Sequence, residues 1–351
     1  MTLPSGIRNY TYAQDMAILR TKTHWALFFG FSALLLTAPW YLGNYWLGVT
    51  NLIGITLIAA TGLNILTGYC GQLSIGHAGF IAVGAYTSAV LTNRLELPFL
   101  VGLIGAGFAA GIIGLIFGLP SVRVKGFYLA ITTIAAQFII IWVINHWSEV
   151  TGGFVGIKVP YASIAGFVFR SETSQFYLIF AIVILGIFFA KNLARTRVGR
   201  AFIAIRDNDL AAEVMGINLL YYKLLAFFIG CFLAGIAGAL LAHWIGFLNA
   251  EQFSLTESIL YIGMIIIGGL GTTIGPIFGV VFIRLLQQIL TVEIVPFLER
   301  TFTMLPAGFA TGVTPMLFGL VIILFLILEP RGLAHRWTLF KSAYRLWPFS
   351  Y

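Results

Sequence analysis

One otherwise apolar stretch concentrates small and polar residues that could do chemistry. Residues 67–89 read TGYCGQLSIGHAGFIAVGAYTSA, and the run Thr23–Asn93 around them contains no Asp, Glu, Lys or Arg. Irregular backbone is tolerated at membrane depth only where protein or a water cavity covers it. One interpretation is a helix break facing a route for a small solute, and the candidate lining residues are Gln72, Ser74, Gly76 and His77. The other is a tight cytoplasmic turn with Ser74 as a helix N-cap.

Arg284 is a charge inside a second apolar segment, VVFIRLLQQIL, with Gln287 and Gln288 one turn away. An ionisable side chain at membrane depth is a functional candidate by default, because leaving it in lipid is costly. The guanidinium could attract the carboxylate of a bound solute. It could equally pair with Glu293 or reach the membrane surface, and the sequence leaves these roles open.

The composition places both features in a membrane protein. Of 351 residues, 60% are hydrophobic and only 9% are charged, and the mean hydropathy is +0.97. A soluble domain carries about a quarter charged residues. The net charge of +8 is better explained by basic cytoplasmic loops than by nucleic-acid binding. Cys70 and Cys231 lie in apolar surroundings and are expected to be free thiols.

The apolar segments predict an all-α, polytopic bundle of about ten transmembrane helices with a broken or re-entrant glycine-rich segment. A span needs roughly 20 apolar residues. The candidate spans are residues 25–43, 46–67, 77–93, 97–119, 127–147, 174–191, 224–245, 257–272, 275–292 and 314–330. No convincing internal repeat is found, although IGGLGTTIGPIFG (residues 267–279) loosely echoes GYCGQLSIGHAGF.

Basic residues orient this bundle. With the N-terminus inside, fifteen of the 20 Lys and Arg residues fall in inner segments and four in outer loops. The bias predicts that both termini are cytoplasmic. The chain then divides into an N-terminal segment (1–24), a transmembrane domain (25–330) and a cytoplasmic tail (331–351). The tail has the spacing of an amphipathic basic helix on the membrane surface, with a disordered basic tail as the alternative.

The charged connection 192–223 contains GRAFIAIRDNDLAAEVMGI, residues 199–217. Its apolar residues recur at three- to five-residue steps, which indicates a short amphipathic helix or helix pair. Residues 207–209 suit a helix start, and Gly216 suits a helix stop. The acids near Ala211 and Ala212 favour docking on a protein partner over a membrane surface.

Two motif blocks resemble a known family. AAEVMG, followed by an apolar span, resembles the EAA loop of ABC importer permeases. The blocks GRAFIAIRDNDLAAEVMGINLLYYKLLAFFIGCFLAGIAGAL and TGLNILTGYCGQLSIGHAGFIAVGAYTSA together are similar to the LivM-type permease of branched-chain amino acid importers. The resemblance extends from about Leu47 to Gly332. It implies that the loop couples to ATPase subunits, and the family's coupling residues correspond here to Ala212, Glu213 and Gly216. Arg200, Arg206 and Asp207 of the same loop are further candidate coupling residues.

The resemblance also implies partners and a location. A second, LivH-like permease subunit would complete the pathway in a bacterial inner membrane, among its lipids. Two cytoplasmic ATP-binding subunits would hydrolyse ATP, and an extracytoplasmic substrate-binding protein would deliver the solute. That solute would be an amino acid, branched-chain or aliphatic, or a similar small polar molecule. Arg284 departs from the family pattern and inherits no role.

The chain itself is expected to be neither an enzyme nor a cofactor carrier. It lacks the G-x-x-x-x-G-K-[ST] phosphate loop, and no spacing of His, Cys or carboxylates suggests a metal or catalytic site. The alternative function is an ion-coupled secondary transporter. The proton-relay candidates within the predicted spans are few, namely His77, His146, His243 and Glu257. Sodium coupling through backbone carbonyls is open.

Overall fold

Helices form nearly all of the architecture, as apolar segments must when lipid offers their backbone groups no partner. The computed structural model describes residues 22–122, 126–294 and 309–346. In chain order the helices are α1 (Lys22–Tyr41), α2 (Asn44–Leu63), α3 (His77–Asn93), α4 (Phe99–Gly118), α5 (Phe127–His146), α6 (Ser148–Thr151), α7 (Glu172–Arg195), α8 (Arg197–Asp207), α9 (Asp209–Val214), α10 (Leu219–Ile245), α11 (Leu255–Gly268), α12 (Gly275–Ile289), α13 (Phe309–Leu328) and α14 (Leu333–Leu346). Two π-helical turns, Asn64–Tyr69 and Leu290–Ile294, extend α2 and α12.

Two small antiparallel ribbons mark one end of the bundle. Strand β1 (Ile157–Lys158) pairs with β4 (Phe247–Leu248), with Ile157 opposite Leu248, and β2 (Ser163–Ile164) pairs with β3 (Phe167–Val168). Helix α10 runs from just after α9 to just before β4, and its 27 residues span about 40 Å. The end that carries α8 and α9 is called the loop end below, and the end that carries the ribbons is called the far end.

The core forms around α10, which packs against α2, α3 and α4. Small residues permit this packing. A Cβ atom added at Gly84 of α3 would lie only 2.3 Å from the Cα atom of Gly235 in α10. Such close backbone approach is how membrane helices associate, because lipid gives apolar side chains no hydrophobic reason to leave it.

The membrane helix bundle is confirmed, but the number of ten spans is not. Six described helices are long and apolar enough to cross a membrane, or seven if the pair Pro315–Leu328 and Leu333–Ala343, bent by 43°, forms one span. Helix α3 covers residues 77–93 as predicted, but its 17 residues and the 14 of α11 are fewer than the roughly 20 that a span needs. Hydropathy measures only the length of an apolar segment, and part of the apolar sequence is not helical in this structure.

The tail begins as the predicted helix. Helix α14 packs against α12, where the rings of Trp337 and Phe278 lie 5.9 Å apart. Arg336 forms an ion pair with Glu329 at the end of α13. Residues 1–21 of the predicted N-terminal segment and residues 347–351 of the tail lie outside the described residues.

Candidate functional site

The first glycine-rich segment is a helix break that re-enters the bundle. After the π-helical turn that ends at Tyr69, Gly71 reverses the chain with a φ of +72°. Residues 72–76 are non-helical, and His77 then starts α3 with its Nε2 atom 3.0 Å from the carbonyl oxygen of Ala59. Ala59 precedes Tyr69 by ten residues, or about 15 Å of helix. Helix α3 therefore starts deep inside the bundle.

Protein groups satisfy the backbone of this re-entrant stretch. The amide of Gln72 donates to the carbonyl of Leu66 (3.1 Å). The amide of Ile75 donates to Thr133 Oγ1 (3.0 Å), and the amide of Ala78 donates to Ser258 Oγ (2.9 Å). Both interpretations of the sequence are thus partly realised, because a turn at the loop end leads into irregular chain covered by protein. Gly76, not Ser74, immediately precedes α3, so Ser74 is not its N-cap.

The four predicted lining residues have different surroundings. Gln72 lines a cavity of about 330 Å³ at the loop end, together with Arg206 and Lys223. Ser74 and His77 are completely buried. Within the described part of the chain, Ser74 Oγ and His77 Nδ1 have no hydrogen-bond partner. A Cβ atom at Gly76 would lie 1.9 Å from the carbonyl oxygen of Thr133, so Gly76 permits close contact between α3 and α5.

A second break lies against the first. Residues 269–274 connect α11 to α12, and Gly271 has a φ of +70°. Asn64 bridges the two breaks: its Nδ2 donates to the carbonyl of Thr272 (2.9 Å), and its Oδ1 accepts from the amide of Gly271 (3.0 Å). Tyr69 Oη also lies 3.1 Å from Thr273 Oγ1. The two glycine-rich sequences that loosely echo each other are therefore neighbours in space.

Arg206 connects these breaks to the helices of the loop end. From the end of α8, its Nη1 donates to the carbonyl of Gly68 (3.0 Å), a group of the π-helical turn. Its Cγ would lie 3.0 Å from a Cβ at Gly71, and its Nη1 would lie 2.6 Å from one at Gly271. Asp207 pairs with the same guanidinium at 2.8 Å. One side chain thus contacts both breaks.

Local signals shape α8 and α9 as the sequence predicts. Asn208 lies between them and caps α9, since its Oδ1 accepts from the amide of Ala211 (3.0 Å). Gly216 ends the turn after α9 with a φ of +84°, and the amide of Ile217 donates to the carbonyl of Ala212 (3.0 Å). This is the left-handed stop that glycine favours. The predicted helix start at residues 207–209 and the stop at Gly216 are confirmed.

Helix α9 presents an apolar surface at the loop end. Val214 and Met215 are 87% and 82% exposed, and Leu210 is exposed beside them. These three residues are called the α9 surface below. Ala212 is buried beneath it, whereas the candidate coupling residues Arg200 and Glu213 are exposed. Because α9 is not part of a membrane-spanning helix, lipid contact along a span does not explain this exposure.

Arg284 lies in a second cavity, nearer the far end. The Nη2 atom of Arg284 is 3.4 Å from Glu257 Oε2. The guanidinium also donates from Nε to Thr56 Oγ1 (3.1 Å) and from Nη1 to Gln287 Oε1 (2.8 Å). The sequence left Glu293 open as the ion-pair partner of Arg284. In the structure Arg284 instead pairs with Glu257 in α11, and Glu293 is exposed.

The cavity around this pair is mostly apolar and has a volume of about 260 Å³. It lies where α3 and α11 begin, with Ala78 and Glu257 at its edge. The apolar wall comprises Leu52, Ile55, Ile81, Leu241, Phe253 and Tyr261. Among the described residues, no group of three or more His, Cys, Asp or Glu side chains could hold a metal ion.

Sequence reasoning did not single out Asn64 or the Thr272–Thr273 pair, and it considered Glu257 only as a proton-relay candidate. The echo between the two glycine-rich segments was the available signal. It could have suggested that both are breaks of one kind, and that polar residues near them bond across.

The chain is similar in sequence to known transport permeases. The model of a family described as the permease component of branched-chain amino acid transport systems matches residues 45–328. The chain is 29% identical over 276 residues to the high-affinity branched-chain amino acid transport system permease protein LivM of Salmonella typhimurium. That alignment covers 72% of this chain and 65% of the relative, so the chain spans just under two thirds of that relative's length.

Two other relatives extend the comparison. The probable branched-chain amino acid transport permease protein LivM of Methanocaldococcus jannaschii is 26% identical over 320 residues, which is 80% of this chain and 90% of the relative. The autoinducer 2 import system permease protein LsrC of Enterobacter sp. is 26% identical over 262 residues, which is 72% of this chain and 65% of the relative. No solved structure matches the chain.

Proposed function

We propose that this chain, which belongs to the family of branched-chain amino acid transport permease components, is a permease subunit of an ABC importer. It forms half of the translocation pathway, and a LivH-like permease subunit forms the other half. Two cytoplasmic ATP-binding subunits hydrolyse ATP, and an extracytoplasmic binding protein delivers the solute. The solute is an amino acid, branched-chain or aliphatic, or a similar small polar molecule.

The α9 surface is the observation that carries the coupling part of this proposal. A permease must receive the movement of its ATPases through a stiff element that both proteins share. Helix α9 is capped at both ends and presents exposed apolar side chains next to the exposed Glu213. An amphipathic helix with apolar anchors suits a groove in a partner.

Arg206 gives this movement a route into the bundle. It lies at the end of α8, directly before the short connection to α9, and bonds the carbonyl of Gly68, beside both breaks. Helices α3 and α12 begin at these breaks, and hinge residues at element ends absorb changes in backbone angles. A displacement of α8 and α9 is therefore passed to the start of two membrane helices.

The charge distribution supports placing the loop end in the cytoplasm of a bacterial cell, with both termini on that side of the inner membrane. Basic residues cluster on α8 and at the adjoining ends of its neighbours: Lys191, Arg195, Arg197, Arg200, Arg206 and Lys223. The far-end connection between α5 and α7 carries only Lys158 and Arg170 as Lys or Arg. Such asymmetry is the usual mark of the cytoplasmic side.

Reconstitution with the two ATP-binding subunits, the second permease subunit and the binding protein tests the proposal. Wild-type proteoliposomes should accumulate L-leucine only with ATP. Glu213→Lys should abolish uptake and weaken co-purification of the ATP-binding subunits, since disrupting a charge contact that is buried in the proposed interface costs roughly 2–5 kcal/mol. Glu251→Lys, an exposed acid near the far end, is the matched control and should transport normally.

Two results would contradict the proposal. Normal uptake and normal association in Glu213→Lys would mean that this part of α9 does not couple the ATPases. Uptake that needs an ion gradient and no ATP would support the secondary-transporter alternative.

A further inference from the structure

The ion pair Arg284–Glu257 lies at a cavity, and a purely structural role does not explain this position. Both side chains line the same mostly apolar cavity, where Arg284 is 10% exposed and Glu257 is 30% exposed. A buried ion pair contributes little net stability compared with apolar residues of similar volume, because both charges lose their water. Ionisable groups kept at membrane depth tend to mark a pathway for ions or solutes.

We propose that this pair is a selectivity site for zwitterions within the membrane. Arg284 binds the carboxylate of an α-amino acid, and Glu257 binds its ammonium group, while the apolar wall accommodates the side chain. This inference rests on the proposed function as a permease. It adds that this chain itself binds the solute selectively, so that the binding protein alone does not determine which solute is transported.

Charge balance favours a zwitterion over other small solutes. The empty site is neutral because its two charges pair with each other. When a zwitterion enters, each protein charge exchanges its partner for one of opposite sign on the solute, and the site stays neutral. A simple anion would leave the Glu257 carboxylate unpaired in a mostly apolar cavity, and an amine would leave the guanidinium unpaired, both of which are costly. A neutral solute would break the pair without replacing its interactions.

The geometry holds the guanidinium while leaving the pair open to exchange. Thr56 and Gln287 each bond Arg284, at 3.1 and 2.8 Å. The contact with Glu257 is longer, at 3.4 Å, than the roughly 2.7–2.9 Å of a strong charge-assisted hydrogen bond. Glu257 lies in the first turn of α11, where the helix dipole attracts an acidic side chain. The pair is therefore positioned but not tightly closed.

Cavity size and composition match one small amino acid. The volume of about 260 Å³ falls just below the roughly 300–1,000 Å³ typical of ligand pockets. Leu52, Ile55, Ile81 and Leu241 supply aliphatic surface, and Phe253 and Tyr261 supply aromatic surface. A single aliphatic side chain fits these walls, whereas a peptide or a large sugar would not.

The second break gives the site a means of release. Glu257 lies on α11 and Arg284 lies on α12, the two arms that residues 269–274 join. Asn64 ties that connection to the first break, and Arg206 contacts both. A change in the angle between the arms alters the distance between the two charges, so the same movement that opens the pathway weakens two-point binding.

Analogues of one solute test the proposal on the full-length chain in lipid nanodiscs. The probes are L-leucine, 4-methylpentanoate, which lacks the ammonium group, and 3-methylbutylamine, which lacks the carboxylate. Equilibrium binding should favour leucine over either analogue by about tenfold to a hundredfold, as expected for one hydrogen-bonded charge pair. Glu257→Gln should lose the preference over 4-methylpentanoate, and Arg284→Gln should lose the preference over 3-methylbutylamine.

These opposite changes in preference separate the site from general damage to the fold. Glu251→Gln, outside the cavity, should keep wild-type preferences. If a single variant is not monodisperse, the uncharged double variant Arg284→Gln/Glu257→Gln should fold and lose both preferences. Unchanged preferences in folded variants, or no leucine binding by the wild type, would overturn the site. Absence of ATP-dependent uptake with these preferences intact would instead refute the proposed function and leave the site standing.

Discussion

Arg206 and Arg284 both lie close to the helices that the two breaks interrupt, but they differ in exposure and in hydrogen-bond partners. Arg206, at the loop end, is 37% exposed, and it bonds a backbone carbonyl and the 62%-exposed Asp207. Arg284, in the cavity, bonds the side chains of Thr56, Gln287 and Glu257.

The difference separates a mechanical role from a binding role. A bond to a backbone carbonyl follows the chain wherever it moves, so Arg206 suits the transfer of motion. Bonds to side chains can be exchanged for bonds to a solute without disturbing the backbone, so Arg284 suits recognition. Water screens the charge pair of Arg206, while the cavity does not screen that of Arg284 to the same degree.

The largest expected effect comes from separating the breaks that Arg206 contacts. In Gly271→Val, the new Cβ would lie 2.8 Å from the carbonyl oxygen of Gly68 and 2.6 Å from Arg206 Nη1. The positive φ adds about 1–3 kcal/mol of strain, and losing the bond from Arg206 adds about 1.5–3 kcal/mol. We expect a large drop in the thermal unfolding temperature of the purified protein and loss of uptake.

Gly166→Val is the control for that experiment. Gly166 has a φ of +84°, but nothing lies within 4 Å of an added Cβ. Gly166→Val therefore measures the cost of backbone strain at a positive φ without any steric collision of the new side chain. Equal destabilisation in the two variants would show that the contact between the breaks contributes nothing.

A smaller effect is expected from Thr56→Val, which removes a neutral partner of the buried arginine. Thr56 is completely buried, and its hydroxyl accepts from Arg284 Nε. Its loss leaves a charged donor unsatisfied, at roughly 1.5–3 kcal/mol of unfolding free energy. Thr50→Val on the same helix is the control, because Thr50 Oγ1 donates only within its own helix, to Trp46. Equal thermal unfolding temperatures would mean that Thr56 does not hold Arg284.

Local signals made the loop end predictable. The start and stop of α9 depend on a cap within three residues and on one glycine, both visible in the sequence. The starting depths of α3 and α11 were not predictable, because hydropathy does not distinguish a helix from covered, non-helical chain. The bridge from Asn64 to Thr272 joins residues 208 positions apart, and no periodicity encodes that contact.

Helix geometry could have narrowed the roles of Arg284. Glu293 follows it by nine residues, and at about 100° per residue nine steps place it on roughly the opposite face of one helix. That pairing was therefore unfavourable from the outset. Glu257 could not be chosen instead, because its position depends on how α11 and α12 fold together at the second break.

The smallest expected effect comes from removing the charged partner of Arg206. Asp207→Asn keeps the shape of the side chain but loses an ion pair whose acid is 62% exposed. Exposed pairs typically contribute only about 0–1 kcal/mol, because water and salt already screen them. The bond from Arg206 to Gly68 remains, so ATP-dependent uptake should stay within about twofold of wild type. Asp207→Asn should therefore lower the free energy of unfolding less than Thr56→Val does, although Asp207 carries a full charge and the Thr56 hydroxyl is neutral.

A larger loss of uptake in Asp207→Asn, with normal thermal stability and weaker co-purification of the ATP-binding subunits, would mean that Asp207 contacts those subunits directly. Arg206 would then belong to the docking surface, and its contrast with Arg284 would no longer be one of mechanics against recognition.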